Sequence, residues 1–322
     1  MSSDIGTGIV ADRRLAVYAN TSGQLVALNP ETGAVRWRFY TDGKIYSTPA
    51  LTKSQVVFAS TNGTIYCLDR AGNLLWRHVT DSPLVASPLV DGETVYIGSS
   101  EGAFRALALA TGKVRWQFEG VQEFVECLPA ADDERVYFGS WGSTLYALHK
   151  RDGTLAWKWT NHKIRNFSPA ACTPIVAHNR VFIQTPDRTV TALDAATGQE
   201  VWKSNVHKGF ESIGVSEDKA HIYIKCLKDS VVALSTRSPQ LQLDWFVNCK
   251  YGAEISPSPI TELDGVVFVP TDDGVIYGID KATRQVLFAR KLSNAMVNRI
   301  QPLPQRRLLV TTMDGKVAAL RF

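Results

Sequence analysis

Short apolar runs recur along the whole chain, separated by loops that carry Gly, Asp, Ser or Asn. One set of these runs reads LAVYAN, VVFAS, TVYIGS, RVYFGS, RVFIQT, HIYIKC, VVFVPT and LLVTT. A short loop joins each of them to a second run, as in QLVALN and TIYCLD. Runs of this length that are rich in Val, Ile, Tyr and Phe predict β-strands, and the short polar loops predict hairpins.

The second run of each pair contains two aligned columns, one large and one small. The large column lies at intervals of 39 to 45 residues and holds Leu28, Leu68, Leu107, Leu148, Leu193, Leu234, Ile279 and Leu320. The residue before it is always small: Ala27, Cys67, Ala106, Ala147, Ala192, Ala233, Gly278 and Ala319. Successive side chains of a strand point to opposite faces, so both faces are apolar and the sheet is packed on both sides. We expect the small residue to let a neighbouring sheet approach closely.

An aromatic residue ends almost every copy of the pattern. It follows a tight turn, often Thr-Gly, in which Gly supplies a positive φ. The aromatic column holds Trp37, Trp76, Trp116, Trp157, Trp202, Trp245 and Phe288. A further strand is expected near the TP or SP dipeptides that start each copy, which makes four strands in about 40 residues. Eight such copies predict an all-β fold, a single eight-bladed β-propeller of four-stranded antiparallel blades over residues 1–322.

This repeat resembles the pyrroloquinoline-quinone (PQQ)-type repeat, and the resemblance covers essentially the whole chain. The aromatic column resembles the tryptophan-docking motif of that family, in which each Trp packs between its own blade and the next. The family includes quinone-dependent alcohol and sugar dehydrogenases, the lipoprotein of the bacterial outer-membrane barrel-assembly machinery, and propellers fused to kinases, phosphatases and adenylating enzymes. The resemblance therefore implies a fold and leaves several functions open.

The last copy of the repeat stops at ALRF, before the turn and the aromatic strand. A propeller that closes its ring needs a partner for this edge. The outer strand of blade eight must come from residues 1–7, from sequence upstream of them, or be missing. We expect the N-terminal segment to complete blade eight.

Charge and targeting signals narrow the partners and the compartment. The net charge of +4 is spread along 322 residues without a run of like charges, which argues against nucleic-acid binding. The sequence shows no apolar stretch long enough to span a membrane and no export signal at its start. The five cysteines show no CxxC or adjacent pair. We expect a cytoplasmic protein as the chain stands, or a periplasmic one if an export signal has been removed.

The channel-mouth face is the expected binding surface, because the blade connections and the loops between the second and third strands ring it. Trp141 lies in one of these loops, outside the aromatic column, and is either a packing residue or a stacking platform. The connection HKIRNFSPAAC is longer than the others, and extra loop length is where binding tends to be added. The predicted ligand or partner residues are Glu126, Trp141, Arg165, Asn166, Glu211, Glu254 and Arg299. The two arginines among them suit a carboxylate or phosphate.

Catalytic and metal signatures are absent from the sequence. It contains no GxSxG, HExxH, P-loop or GxGxxG motif, and its six histidines show no metal-ligand spacing. We expect no catalytic residue, no metal and no cofactor. A quinone-dependent dehydrogenase, which would hold PQQ with Ca²⁺, is the enzymatic alternative. The sequence contains neither the adjacent cysteines nor a convincing set of the calcium ligands that such enzymes use.

Three functions are compatible with these features of the chain. The favoured one is a non-enzymatic propeller scaffold that binds a protein partner or a small ligand through its channel-mouth face. The second is a regulatory or sensory module of a larger enzyme of the phosphatase or kinase type. The third is the quinone-dependent dehydrogenase.

Overall fold

Eight antiparallel sheets arranged in a ring form the protein. The computed structural model describes residues 5–161 and 165–322. Each sheet is built from strands in chain order, and seven of the eight have four strands. Within the described residues, the one helix is a single turn of 3₁₀ helix at Arg165–Phe167. The prediction of an all-β, eight-bladed propeller is confirmed.

The first four blades have nearly uniform strands. Blade one contains β1 (Val10–Ala11), β2 (Ala16–Ala19), β3 (Gln24–Leu28) and β4 (Val35–Tyr40). Blade two contains β5 (Ala50–Leu51), β6 (Gln55–Ser60), β7 (Thr64–Asp69) and β8 (Leu74–Val79). Blade three contains β9 (Leu89–Asp91), β10 (Thr94–Gly98), β11 (Phe104–Ala108) and β12 (Val114–Phe118). Blade four contains β13 (Ala130–Ala131), β14 (Arg135–Ser140), β15 (Thr144–His149) and β16 (Leu155–Thr160).

The last four blades are less regular, and blade six has the longest hairpin. Blade five contains β17 (Ile175–Ala177), β18 (Arg180–Gln184), β19 (Val190–Asp194) and β20 (Glu200–Ser204). Blade six contains β21 (Gly209–Val215), β22 (His221–Cys226), β23 (Lys228–Ser235) and β24 (Leu243–Ala253). Blade seven contains β25 (Thr261–Leu263), β26 (Val266–Pro270), β27 (Val275–Asp280) and β28 (Val286–Lys291). Blade eight contains β29 (Gln301–Leu303), β30 (Arg307–Thr311) and β31 (Val317–Arg321).

The strand register explains why the small column is small. In each of the first seven blades, the small residue of the third strand lies directly opposite the aromatic residue of the fourth, as Ala27 lies opposite Trp37 and Gly278 opposite Phe288. Paired residues of antiparallel strands point to the same face, so the large ring leans over the small side chain. The sequence predicted that the small residue makes room for a neighbouring sheet. The structure shows that its direct partner is the aromatic residue of the same sheet.

Each tryptophan of the first four blades also ties its blade to the next. The indole N–H of Trp37, Trp76, Trp116 and Trp157 donates to a carbonyl oxygen in the turn of the following blade, at 2.7–2.9 Å. A glycine of that same turn lies against the ring, since a Cβ at Gly72, Gly112, Gly153 or Gly198 would come within 2.5–2.8 Å of it. Burial of these rings contributes to the packing between neighbouring blades.

The ring closes between blade eight and blade one. β1 contacts β29, the amide of Asn298 donates to the carbonyl oxygen of Ile5 at 2.7 Å, and the hydroxyl of Thr311 donates to the carbonyl oxygen of Thr7 at 2.9 Å. Residues 5–8 thus form the connection that enters blade one. Among the described residues, the sheet of blade eight has three strands. The predicted completion of this blade is not made by residues 5–7, and residues 1–4 lie outside the described residues.

Within the described ranges, no helix has the length and the apolar character needed to cross a membrane.

Candidate functional site

The centre of the ring holds a cavity of about 520 Å³ that opens at the channel mouth. Connections from seven of the eight blades line it, and the side chains include Thr48, Ser87, Glu126, Thr173, Ser258 and Arg299. A second cavity of about 320 Å³ continues between the inner strands of blades one to three and also reaches Arg299. A volume of this size suits a small ligand or one protruding side chain or loop of a partner.

Arg299 lies where the two cavities meet. Its side chain is exposed to the solvent in the channel, while protein atoms surround the guanidinium. This desolvation lowers the pKa of the guanidinium from its usual value. Arginine stays protonated under these conditions. Its guanidinium makes no hydrogen bond or ion pair with any group in residues 5–161 and 165–322. A fixed positive charge with five unused donors therefore points into the channel.

Glu126 and Trp141 stand together at the rim of the same cavity. The indole N–H of Trp141 donates to Glu126 Oε2 at 2.9 Å. The Trp141 ring stacks on Phe124, with ring centroids 5.5 Å apart and planes 26° apart. Phe124 and Glu126 both line the cavity, and Glu126 is exposed. The structure brings two of the predicted site residues into one cluster and adds Phe124, which the sequence pattern did not single out.

Glu211 is half-buried at the start of blade six and interacts electrostatically with Glu126. Burial raises the pKa of its carboxyl to about 7, and the negative charge of Glu126 adds to the rise. Its backbone takes a positive φ of 51°, a conformation that is strained for a side chain with a Cβ. The start of blade six therefore carries an acid that holds its proton more tightly than usual.

The contribution of Glu211 to the free energy of unfolding should fall as the pH rises from about 4.5 to about 7. The folded state holds the Glu211 proton more tightly than the unfolded chain does, so this stabilisation is complete below the ordinary pKa and is lost as pH rises through the folded value. Glu211→Gln should flatten this part of the profile, measured by urea unfolding at pH 5, 6 and 7. Glu93→Gln, at an exposed acid, is the control. Parallel profiles for both variants would contradict the prediction.

Glu254 does not face the channel, contrary to the sequence-based prediction. It is 2% exposed, and its carboxylate lies 3.1 Å from the ammonium of Lys225 in an ion pair that is 1% exposed on both sides. The same carboxylate accepts backbone N–H groups of Ser256 at 2.7 Å and Asp272 at 2.9 Å. Lys225 donates to the carbonyl oxygen of Pro270 at 2.7 Å. Glu254 thus joins blade six to blade seven rather than serving a ligand.

The sequence-based prediction did not include Lys225, although its position in the strand pattern was a signal. It stands near the end of HIYIKC, in a column where the first four blades carry Ala19, Ala59, Gly98 and Gly139. Burial lowers the pKa of Lys225 to about 8, against the opposing effect of Glu254. A charged residue inside an otherwise apolar strand needs a buried partner of opposite charge.

The long connection before blade five is described only in part. Residues 162–164 and the side chain of Arg165 lie outside the described residues. Asn166 is exposed on the single helical turn. The proposed pairing of Arg165 with Arg299 around one anion therefore stays a prediction.

The chain matches a family model described as the outer membrane protein assembly factor BamB. The matched segments are residues 1–126 and 119–244, well over half of the chain. The chain belongs to the BamB family. Its members contain PQQ-type repeats, and the repeat columns of this sequence resemble that type.

Three solved structures match the fold over 97–100% of this chain. BamB from Moraxella catarrhalis is 18% identical with a TM-score of 0.76, and the match covers 100% of this chain and 96% of that one. The computationally designed protein Ika8 is 17% identical with a TM-score of 0.83, over 100% and 97% of the two chains. The quinohemoprotein alcohol dehydrogenase ADHIIG from Pseudomonas putida HK5 is 13% identical with a TM-score of 0.73, over 97% and 70%. These likenesses show the fold. No curated protein matches the sequence.

The expectation that no quinone cofactor is bound stays a prediction for this BamB-family chain. One face of the Trp141 ring is taken by Phe124, and its N–H is committed to Glu126. Within residues 5–161 and 165–322, no three His, Cys, Asp or Glu side chains are grouped closely enough to hold a metal ion. A quinone-dependent enzyme would need a platform for the planar ring and oxygen ligands for Ca²⁺.

Proposed function

We propose that this protein is a non-enzymatic scaffold that binds an acidic group of a protein partner through its channel-mouth face. The observation that carries the proposal is Arg299, a guanidinium in the channel that makes no ion pair with a described residue. A cation held in a partly desolvated cavity gains most from a carboxylate, which accepts two parallel hydrogen bonds. The stacked Trp141 and Phe124 at the rim offer an apolar surface beside it.

The likeness to an outer membrane protein assembly factor supports a scaffold role and favours the periplasmic alternative for its location. In this proposal the partner inserts an acidic side chain or loop into the cavity, while the rim contacts its apolar neighbours. Most of the binding free energy then comes from a few central residues, as is usual at protein interfaces.

Arg299→Met should weaken binding of an acidic peptide to the channel by roughly tenfold to a hundredfold. A hydrogen bond to a charged group contributes about 1.5–3 kcal/mol, and each 1.4 kcal/mol is about tenfold in Kd. The probe is acetyl-Glu-Glu-amide, titrated by isothermal calorimetry. Arg290→Met, at an exposed arginine on β28, keeps the same change of net charge and is the control. Equal binding by the two variants would exclude Arg299 as the anion site.

The enzymatic alternative has its own test. PQQ and Ca²⁺ are added to the protein, and thermal stability is followed together with dye-linked oxidation of alcohols and glucose. We expect neither a saturable stabilisation nor dye reduction. A stabilisation of several degrees accompanied by dye reduction would overturn the non-enzymatic proposal.

A further inference from the structure

A cleft of about 440 Å³ lies between blades five and six. The connection formed by residues 206–208, the turn between β22 and β23, and the outer strand β24 line it. None of its lining residues belongs to the central cavity. The cleft is therefore separate from the channel, and two departures from the repeat pattern meet in it.

The first departure is a missing ring at Ser204. In the first four blades, the residue two positions after the docking tryptophan is large: Phe39, His78, Phe118 and Trp159. The Phe39 ring contacts Tyr66 of the next blade, with ring centroids 5.5 Å apart. In blade five this position is Ser204, whose hydroxyl turns back and accepts the N–H of Val206 at 3.2 Å. Val232, which stands in the place of Tyr66, lines the cleft that remains between the two blades.

The second departure is an added ring at Phe246. The residue directly after the docking tryptophan is polar in the first five blades: Arg38, Arg77, Gln117, Lys158 and Lys203. Blade six has Phe246 there, directly opposite Val232, and this side chain is 62% exposed. Leu243 and Val206, the latter 70% exposed, line the same cleft. Exposed apolar side chains that cluster in this way indicate an interaction site.

The charged groups of the cleft are basic. Lys208 and Lys228 line it, and both are exposed. Neither lysine makes an ion pair with a described residue, and no Asp or Glu is among the described residues that line the cleft. Apolar surface beside two positive charges is complementary to a ligand that joins an apolar group to a carboxylate.

The shape of the cleft favours a protein segment as this ligand. Sites for small molecules bury most of the ligand surface, whereas here the apolar side chains are themselves largely exposed. We propose that the cleft binds a segment of a partner protein, in which an aromatic side chain packs against Phe246 and an adjacent carboxylate faces Lys208 and Lys228. The aromatic side chain supplies the ring that Ser204 lacks.

A peptide taken from this chain is the probe. In blade three, Phe118 fills the equivalent place, with its ring centroid 6.1 Å from that of Tyr146 in blade four, and Glu119 follows it. The probe is therefore the acetylated and amidated peptide of residues 117–120, QFEG. The peptide is added to protein labelled at its Val and Leu methyl groups. It should saturably shift the NMR signals of the methyl groups that line the cleft.

Variants of the peptide test the ligand chemistry. Its Phe118→Ala form should bind at least about tenfold more weakly, because an aromatic anchor dominates contacts of this kind. Its Glu119→Gln form should bind about threefold more weakly at low salt, and this difference should vanish at high salt, where exposed charges are screened. Equal binding by the parent and the Phe118→Ala form, or methyl shifts that do not saturate, would overturn the proposal. Phenylacetate that binds as tightly as the peptide would assign the cleft to a small molecule, and the proposal would fail.

Variants of the protein locate the site. Phe246→Gln restores a polar residue, as in the first five blades, and should weaken peptide binding at least about tenfold without lowering Tm. Leu287→Gln, at an exposed apolar position of β28, is the matched control and should bind normally. Ser204→Phe should fill the cleft from within and also abolish binding. Arg299→Met should leave this binding unchanged, which separates the cleft from the channel site. The same Kd for Phe246→Gln and Leu287→Gln would refute the proposal.

Sedimentation of the protein alone tests whether a second copy of the chain occupies the cleft. We expect the wild type and Phe246→Gln to sediment alike. Self-association of the wild type that Phe246→Gln abolishes would identify a second copy as the occupant, and the proposal of a partner segment would fail.

Discussion

Glu254→Ala should destabilise the propeller by about 3–5 kcal/mol, the range found when one partner of a buried ion pair is removed. The change leaves the ammonium of Lys225 without a carboxylate at 1% exposure, and it also removes the acceptor of the Ser256 and Asp272 backbone N–H groups. The lysine would then lose its proton at a lower pH than its wild-type value of about 8. Urea unfolding at pH 7 measures the loss.

The paired replacement Lys225→Met with Glu254→Leu separates the cost of an unpaired charge from the value of the pair. Replacing a buried pair with apolar residues of similar size is often neutral or stabilising. The double variant should therefore regain most of the stability that Glu254→Ala loses. A loss of less than about 1 kcal/mol in Glu254→Ala would mean that the pair is not buried as the structure shows.

Trp157→Ala should destabilise the protein by about 3–5 kcal/mol, as is typical when a large aromatic residue is removed from a core. Trp157 is 8% exposed, donates to the carbonyl oxygen of Ala195 at 2.9 Å and lies against Gly198 in the next blade. The change therefore removes contacts in blade four and between blades four and five. Chemical denaturation followed by circular dichroism gives the free energy of unfolding.

Trp141→Ala is the matched control, because it removes the same side chain from the channel rim. Trp141 is only half-buried and lies outside the aromatic column, so we expect a loss of less than about 1 kcal/mol. Trp157→Phe should retain much of the wild-type stability, since blade seven already uses Phe288 in this column. A larger loss for Trp141→Ala than for Trp157→Ala would contradict the assignment of the two roles.

The strands and blades could be predicted because the same local pattern of side chains recurs in each copy of the repeat. Val, Ile and Tyr runs define the middle strands, and the spacing of the small, large and aromatic columns defines the blade. Each copy repeats the information of the others, so an irregular member, such as Arg284 with a φ of 62° in place of a turn glycine, does not hide the pattern.

The site was predictable only in part, because burial depends on residues far apart in the chain. Glu126, Trp141 and Arg299 were selected from their loops. The structure places Glu126 and Arg299 in the lining of the channel cavity and Trp141 in a hydrogen bond with Glu126. Glu254 was selected by the same reasoning, yet it pairs with Lys225, a residue 29 positions away on another strand. The loop sequence around Glu254 contains no sign of that partner.

The amino-acid sequence by itself determined the strand pattern, the number of blades and the places of the aromatic column, since these depend on side-chain size and polarity within each short repeat. The tertiary structure alone decided which charges meet a partner and which do not. Arg299 faces an open channel, and Lys225 and Glu254 neutralise each other between two blades. The physical reason is that electrostatic pairing and packing depend on distances across the ring, and those distances exist only once the eight blades have come together.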